Sequence, residues 1–409
     1  MKKIYLLFIG ILYLSGVSFC QFEEPQQTGD DFENVKVQLG ADFAMQFQGL
    51  NHHADSALIP LGKGFNLPTA NLNIGADLAP GISVHVTTYL SSRHHPEAWV
   101  KGGYLLIDEL PFLKSDGVDK VMDYLTLKVG DMEIDYGDAH YRRSDNGDVI
   151  HNPFVGNYIM DAFTTAFAAE LMFRMNGILA MGAVTNGSLR PDHVLYNAGT
   201  STYTAYNTLD ELAFYGKLGY DNQLTDDLRL RLTLSGYFCP KHHFGSLYYG
   251  DRTGSRYYLV MKNVTNNASD VDISSGHTTG RWGPGFTNKD NSIMVNLFGK
   301  FKGLEIFGTY ENMSGTSLGG SDLNFSQYAI EGLYRFGKEE QFYGGLRYNM
   351  VQNKDDQSIN RLQIGAGWYI IKSVLVKLEY VDQNYSEFIT QYGPDAGFDG
   401  LMFEAVVSF

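Results

Sequence analysis

Apolar and polar residues alternate along most of this chain with a period of two. Val35, Val37, Leu39, Ala41, Phe43, Met45 and Phe47 share one parity, against Lys36, Gln38, Gly40, Asp42, Ala44, Gln46 and Gln48. A strand turns successive side chains to opposite faces, so the pattern predicts one apolar and one polar face. The run is long for a soluble strand, which averages about 5–6 residues, and suits the roughly 9–11 residues of a tilted membrane strand. Leu228, Leu230, Leu232 and Leu234 alternate in the same way with Arg229, Arg231, Thr233 and Ser235. At the chain end, Leu401, Phe403, Ala405, Val407 and Phe409 oppose Met402, Glu404, Val406 and Ser408.

The alternation divides into about sixteen strands, near 35–47, 68–78, 82–92, 99–109, 122–130, 163–175, 178–187, 209–220, 228–238, 292–302, 304–314, 325–336, 341–351, 359–370, 374–384 and 399–409. Short connections such as 79–81, 176–177, 303 and 371–373 alternate with long ones at 48–67, 131–162, 188–208, 239–291 and 385–398. Short turns at one end and long loops at the other mark a transmembrane antiparallel β-barrel, whose strand number is even in bacterial single-chain proteins. The expected fold class is all-β, a single barrel over residues 35–409 with both termini on the periplasmic side. Residues 110–121 form a longer link at the short-turn end, where a short helix is expected.

The ends of the chain fit export. Met1-Lys2-Lys3, the apolar run to Val17, and Ser18-Phe19-Cys20 lay out a signal peptide over residues 1–20. Phe19 is too bulky for a lipidation signal at Cys20. Cleavage after Cys20 leaves Cys239 alone, so no disulfide framework is expected. Residues 21–34 are acidic and aperiodic, and are read as a periplasmic tail too short to be a plug domain. The closing strand resembles the terminal assembly signal of outer-membrane barrels. That resemblance implies the barrel-assembly machinery as a partner; the alternative is the last strand of a soluble sheet.

Composition adds two constraints. A mean hydropathy of -0.20 is low for a membrane protein, but a barrel turns only every second strand residue to lipid. A net charge of -15 disfavours nucleic acid as a partner. The 27 Tyr and 26 Phe suit the aromatic girdles of a membrane barrel.

Sixteen strands enclose enough space for a water-filled lumen. By parity, Arg174, Lys217, Arg229, Arg231, Arg347, Arg361, Glu170, Glu211 and Glu331 point inward and are the candidate selectivity residues. Opposed charges across a lumen would set a field that selects ions. Alternatively they pair along neighbouring strands and only keep the lumen wet. Arg229 and Arg231, on one face of a leucine-backed strand, are the leading field candidates.

Tyr124-Leu-Thr-Leu-Lys-Val-Gly130 runs into Asp131-Met-Glu-Ile-Asp-Tyr-Gly137, then a polar loop with Arg142-Arg143 and Asn152-Pro153. This stretch, with Thr88–Arg93 and Trp99–Tyr104, resembles the phosphate-selective porin (O/P-like) group and related Bacteroidetes porins. The resemblance implies an inward-folding loop and an outer-membrane pore. Phosphate selectivity would need a lysine cluster, whereas this chain disperses charges of both signs.

Other chemistry is sparse. His52-His53, His94-His95 and His242-His243 lie beyond outward-running strands, but adjacent histidines on extended chain point apart and make poor metal sites. Asp145-Asn146-Gly147-Asp148 reads as a turn rather than a Ca²⁺ loop. Gly280–Gly285 either constricts or covers the mouth. His85 faces the lumen without a serine elbow motif, so no catalysis is expected. The reading is a porin passing small hydrophilic solutes or ions through the outer membrane, with no cofactor and with a homotrimer as one assembly. The alternative is a barrel plugged by residues 239–291, acting as a structural, adhesive or receptor protein.

Overall fold

A computed structural model of the chain describes residues 35–409 apart from 67, 92–97, 145–147, 189–190, 244–246, 249–253 and 265–270. The signal peptide, the tail to residue 34, His94-His95 and Asp145–Gly147 lie outside the described residues. Sixteen strands form the wall: β1 (Lys36–His53), β2 (Thr69–Ala79), β3 (Ile82–Ser91), β4 (Ala98–Ile107), β5 (Leu125–Glu133), β6 (Thr165–Met175), β7 (Ile178–Thr185), β8 (Ala213–Thr225), β9 (Leu228–Cys239), β10 (Lys289–Phe301), β11 (Leu304–Thr316), β12 (Asp322–Phe336), β13 (Phe342–Asn353), β14 (Ser358–Ile371), β15 (Val374–Ser386) and β16 (Ala396–Ser408). Each pairs antiparallel with its neighbour in sequence. The sheet closes through β1 and β16, in register from Asp42 opposite Ser408 to His53 opposite Gly397. A closed sheet leaves no unpaired edge, which is what hydrocarbon demands of backbone N–H and C=O groups.

The period of two sorts the side chains. On β14, Leu362, Ile364, Trp368 and Ile370 face out and are exposed, while Arg361 and Gln363 are fully buried. Exposed apolar rows of this kind run around the outside, and lipid is the medium they suit. The tight turns need backbone that ordinary residues avoid. Gly81 has φ +68°, and a Cβ there would sit 2.1 Å from the Cβ of Glu109. The expected helix in the 110–121 link is present as Asp116–Met122, after a 3₁₀ turn at Pro111–Leu113. Strands β1 and β10 extend further towards the long-loop end than the alternation suggested, because polar positions such as Asn51 and Asp290 still pair.

The lumen differs from the water-filled space expected for sixteen strands. The described residues of 134–164 and many of those of 240–288 leave the wall and fold into the lumen. They bring a cluster of buried apolar side chains, including Ile134, Tyr136, Val155, Ile159, Tyr257 and Val260. The barrel width leaves room for packed loops as well as for water.

Candidate functional site

The inner surface of β8 to β16 holds the two loops. An irregular segment has backbone groups that no sheet pairs, and buried ones need partners. Inward side chains supply them. Arg347 donates to the carbonyl of Gly156 at 2.9 Å and to Asn152 Oδ1 at 3.2 Å, and its guanidinium lies 4.3 Å from the Phe154 ring. Glu379 accepts from the amides of Val155, at 2.7 Å, and Gly156. Lys377 donates to the carbonyl of Val149 at 2.8 Å and pairs with Glu404 at 2.8 Å. Arg361 reaches the carbonyls of Asn157 and Gly280 and so holds both loops. The loops also touch each other: the Trp282 amide donates to Ile159 O at 2.8 Å. A Cβ at Gly156 would meet the Tyr257 hydroxyl at 2.0 Å, so only glycine allows that approach.

The start of the 134–164 loop is held electrostatically. Lys217 contacts the carboxylate of Asp135 and donates to Gly137 O at 2.7 Å. Arg231 makes a bidentate pair with Asp138 at 2.8 and 2.7 Å. His140 lies between Glu133, at 2.6 Å, and Asp135, at 2.9 Å. Burial opposes its charge, but those carboxylates override it and hold the imidazole up to about 9.

The other wall is open. A cavity of about 340 Å³ lies against β1 to β5 and is lined by Asp42, Asn73, His85, Thr87, Lys101 and Lys128, among others. A second, of about 360 Å³, shares Tyr104, Lys128 and Glu133 with it and runs to Asp108 and Arg174 at the short-turn end. A third, of about 410 Å³, shares Arg174 with the second and is lined by Arg142, Arg229, Arg231, Phe298 and Phe307. Neighbouring cavities share lining residues. Lys128 rests on the Tyr104 ring, 4.3 Å from its centroid, and that ring stacks on His85 at 5.0 Å.

The nine candidates from the sequence are therefore separated. Lys217, Arg231, Arg347 and Arg361 bind loop atoms. Glu331 accepts from Arg347 at 3.0 Å, and Glu170 from the Tyr215 hydroxyl at 3.1 Å. Arg174 lines two of the cavities, and Arg229 pairs with Asp221 at 2.9 and 2.8 Å while facing the third. Glu211 is a correction. It follows a 3₁₀ turn at Thr208–Asp210, is exposed, and precedes the first paired residue of β8, so it is not on the lumen wall. The parity reading carried the strand back through a turn.

Sequence reasoning missed the neutral amides that hold the loops. Gln46 and Gln48 donate to Arg256 O and Tyr258 O, and Gln327 to Met160 O. Their signal was visible as Gln on inward parity, but only charged residues were weighed. Of the histidine pairs, His52 accepts from the Met261 amide at 3.0 Å. Burial pushes His242 down to about 4, helped by the adjacent His243. Among the described residues, no group of three or more His, Cys, Asp or Glu is placed to hold a metal ion.

No family model matches the sequence, and no curated protein matches it. Solved structures do match in fold. The anion-selective porin from Comamonas acidovorans aligns with a TM-score of 0.55 at 11% identity, over 92% of this chain and 100% of that one. OprB of Pseudomonas putida aligns at 0.52 and 9%, over 91% and 94%. The outer membrane channel DcaP of Acinetobacter baumannii aligns at 0.51 and 10%, over 92% and 97%. At these identities the likeness is one of fold, and the fold is that of an outer-membrane β-barrel.

Proposed function

We propose that the chain is an outer-membrane porin through which small hydrophilic solutes or ions diffuse passively. The observation that carries this reading is the set of polar cavities, two along β1 to β6 and a third between β6 and β11, inside a barrel whose remaining lumen is packed by loops. The lining mixes Lys101, Lys128 and Arg174 with Asp42 and Glu133, which suits hydrated polar solutes. The reading takes residues 1–20 as an export signal and β16 as the strand offered to the barrel-assembly machinery. It assigns no cofactor and no catalytic step. The finer likeness to phosphate-selective porins of Bacteroidetes stays within this proposal, with no phosphate site assigned. A homotrimer is the assembly favoured by the outside of β2 to β4, where the described outward side chains include no aromatic ring, unlike Phe301, Tyr328, Phe336 and Trp368 elsewhere.

A second reading is a barrel closed by its loops and serving as a surface receptor or adhesive protein. It is favoured by the dense anchoring of residues 149–161. Single-channel recording of the refolded chain under a salt gradient separates the two. Stable conductance steps with a defined reversal potential are expected of the porin. A silent bilayer containing folded, heat-modifiable barrel would sink it.

A further inference from the structure

We propose that Asp290 and Glu311, with the hydroxyls of Ser292, Tyr136 and Tyr248, form a binding site for a hard divalent cation of the Ca²⁺ class. Asp290 and Ser292 stand on β10 and Glu311 on β11. Tyr136 comes from the 134–164 loop and Tyr248 from the 240–288 loop. All five are buried, Asp290 and Glu311 completely. Tyr248 Oη donates to Glu311 Oε1 at 2.6 Å and lies 2.9 Å from Ser292 Oγ, which donates to Asp290 Oδ1 at 2.8 Å. Gln327 donates to the other Glu311 oxygen at 2.9 Å.

Several other buried carboxylates in the lumen have cations: Arg347 for Glu331, Arg143 for Asp161, Lys377 and Arg256 for Glu404; Glu379 is instead held by the Val155 and Gly156 amides, the Tyr257 hydroxyl and Gln363. Among the described residues, Asp290 and Glu311 have no cation; their charged neighbours are each other and Asp161. Two buried carboxylates without a counter-charge are costly, so the pair must be protonated or bind a cation. The unused oxygens favour the cation. Asp290 Oδ2 is buried and has no hydrogen-bond partner, and the buried Tyr136 Oη, which makes no well-aligned hydrogen bond, lies beside Glu311, Tyr248 and Asp290. A protonated Asp290 can donate from Oδ1 to Ser292 Oγ, but that still leaves Oδ2 without a partner. A cation would instead use these open lone pairs, and Ca²⁺ takes oxygen ligands from carboxylates together with neutral oxygens. The ion would join both inward loops to the wall.

The test is calorimetric titration of the chelator-treated, folded chain in detergent with CaCl₂, together with its unfolding temperature. One Ca²⁺ per chain and a raised unfolding temperature are expected. Both effects should be lost in Asp290→Asn and Glu311→Gln and kept in Asp355→Asn, an exposed acid in a turn. A wild-type chain that binds no Ca²⁺, or a double neutral variant that still binds it, would overturn the site. If the acid variants fail to fold, Tyr136→Phe removes a ligand oxygen and no charge. Weaker binding then supports the site, and unchanged binding overturns it.

Discussion

On the wall from β8 to β16, Lys217, Arg347, Arg361 and Lys377 end on atoms of the inward loops. On the wall from β2 to β5, Asn73, His85, Thr87 and Lys128 face an open cavity. Both walls follow the same inward–outward alternation, so alternation alone does not decide what an inward charge does. The difference lies in what stands opposite. Where a loop packs against the wall, the charge satisfies backbone and becomes part of a dry core. Where no loop packs, it faces solvent and can act on a passing solute.

Substitutions should separate the walls. The largest effect is expected from Glu404→Ala, which leaves Lys377 and Arg256 buried without their shared carboxylate. Breaking a buried pair in this way costs about 3–5 kcal/mol, so thermal unfolding of the barrel should shift strongly downward; an unchanged midpoint would mean that this wall is not held by its charges. Next is Arg361→Ala, which removes charged hydrogen bonds to both loops, each of roughly 1.5–3 kcal/mol. Its conductance should rise and become noisy, and steady wild-type steps would argue against loop anchoring by Arg361.

A smaller effect follows from His140, whose protonated ring bridges Glu133 and Asp135. Its raised pKa means that its contribution is full below pH 6.5 and is lost as pH rises through about 9. Channel noise should therefore grow between pH 7 and 10 in the wild type and be nearly flat in His140→Gln. Equal profiles in both would mean that His140 does not hold the start of the 134–164 loop. The smallest stability effect, within about 0.5 kcal/mol, is expected for Lys128→Glu on the open wall. Its reversal potential should nevertheless move towards cation preference. A shift in unfolding with no shift in reversal potential would place Lys128 with the structural residues instead.

Much of the fold was legible because the lipid face leaves a strict signal. Leu401, Phe403 and Phe409 point outward as their parity requires, and each of the sixteen expected strands has its counterpart. The site was less legible. Arg231 reads the same in sequence whether it faces water or Asp138, and only the path of the 134–164 loop distinguishes them. That path depends on contacts such as Asn349 Oδ1 with the Ile159 amide, 190 residues apart in sequence, which no local pattern encodes. Glu211 shows the complementary error: parity persists through a 3₁₀ turn that ends the strand.

The central claim, passage along one wall past a packed one, is tested most directly by charged thiol reagents on single cysteines during conductance recording. The wild type, whose Cys239 is buried, serves as the control. Thr87→Cys, on the open wall, should react and lose conductance, whereas Gln363→Cys, under the packed loops, should not. Block at Gln363→Cys with none at Thr87→Cys would contradict the account.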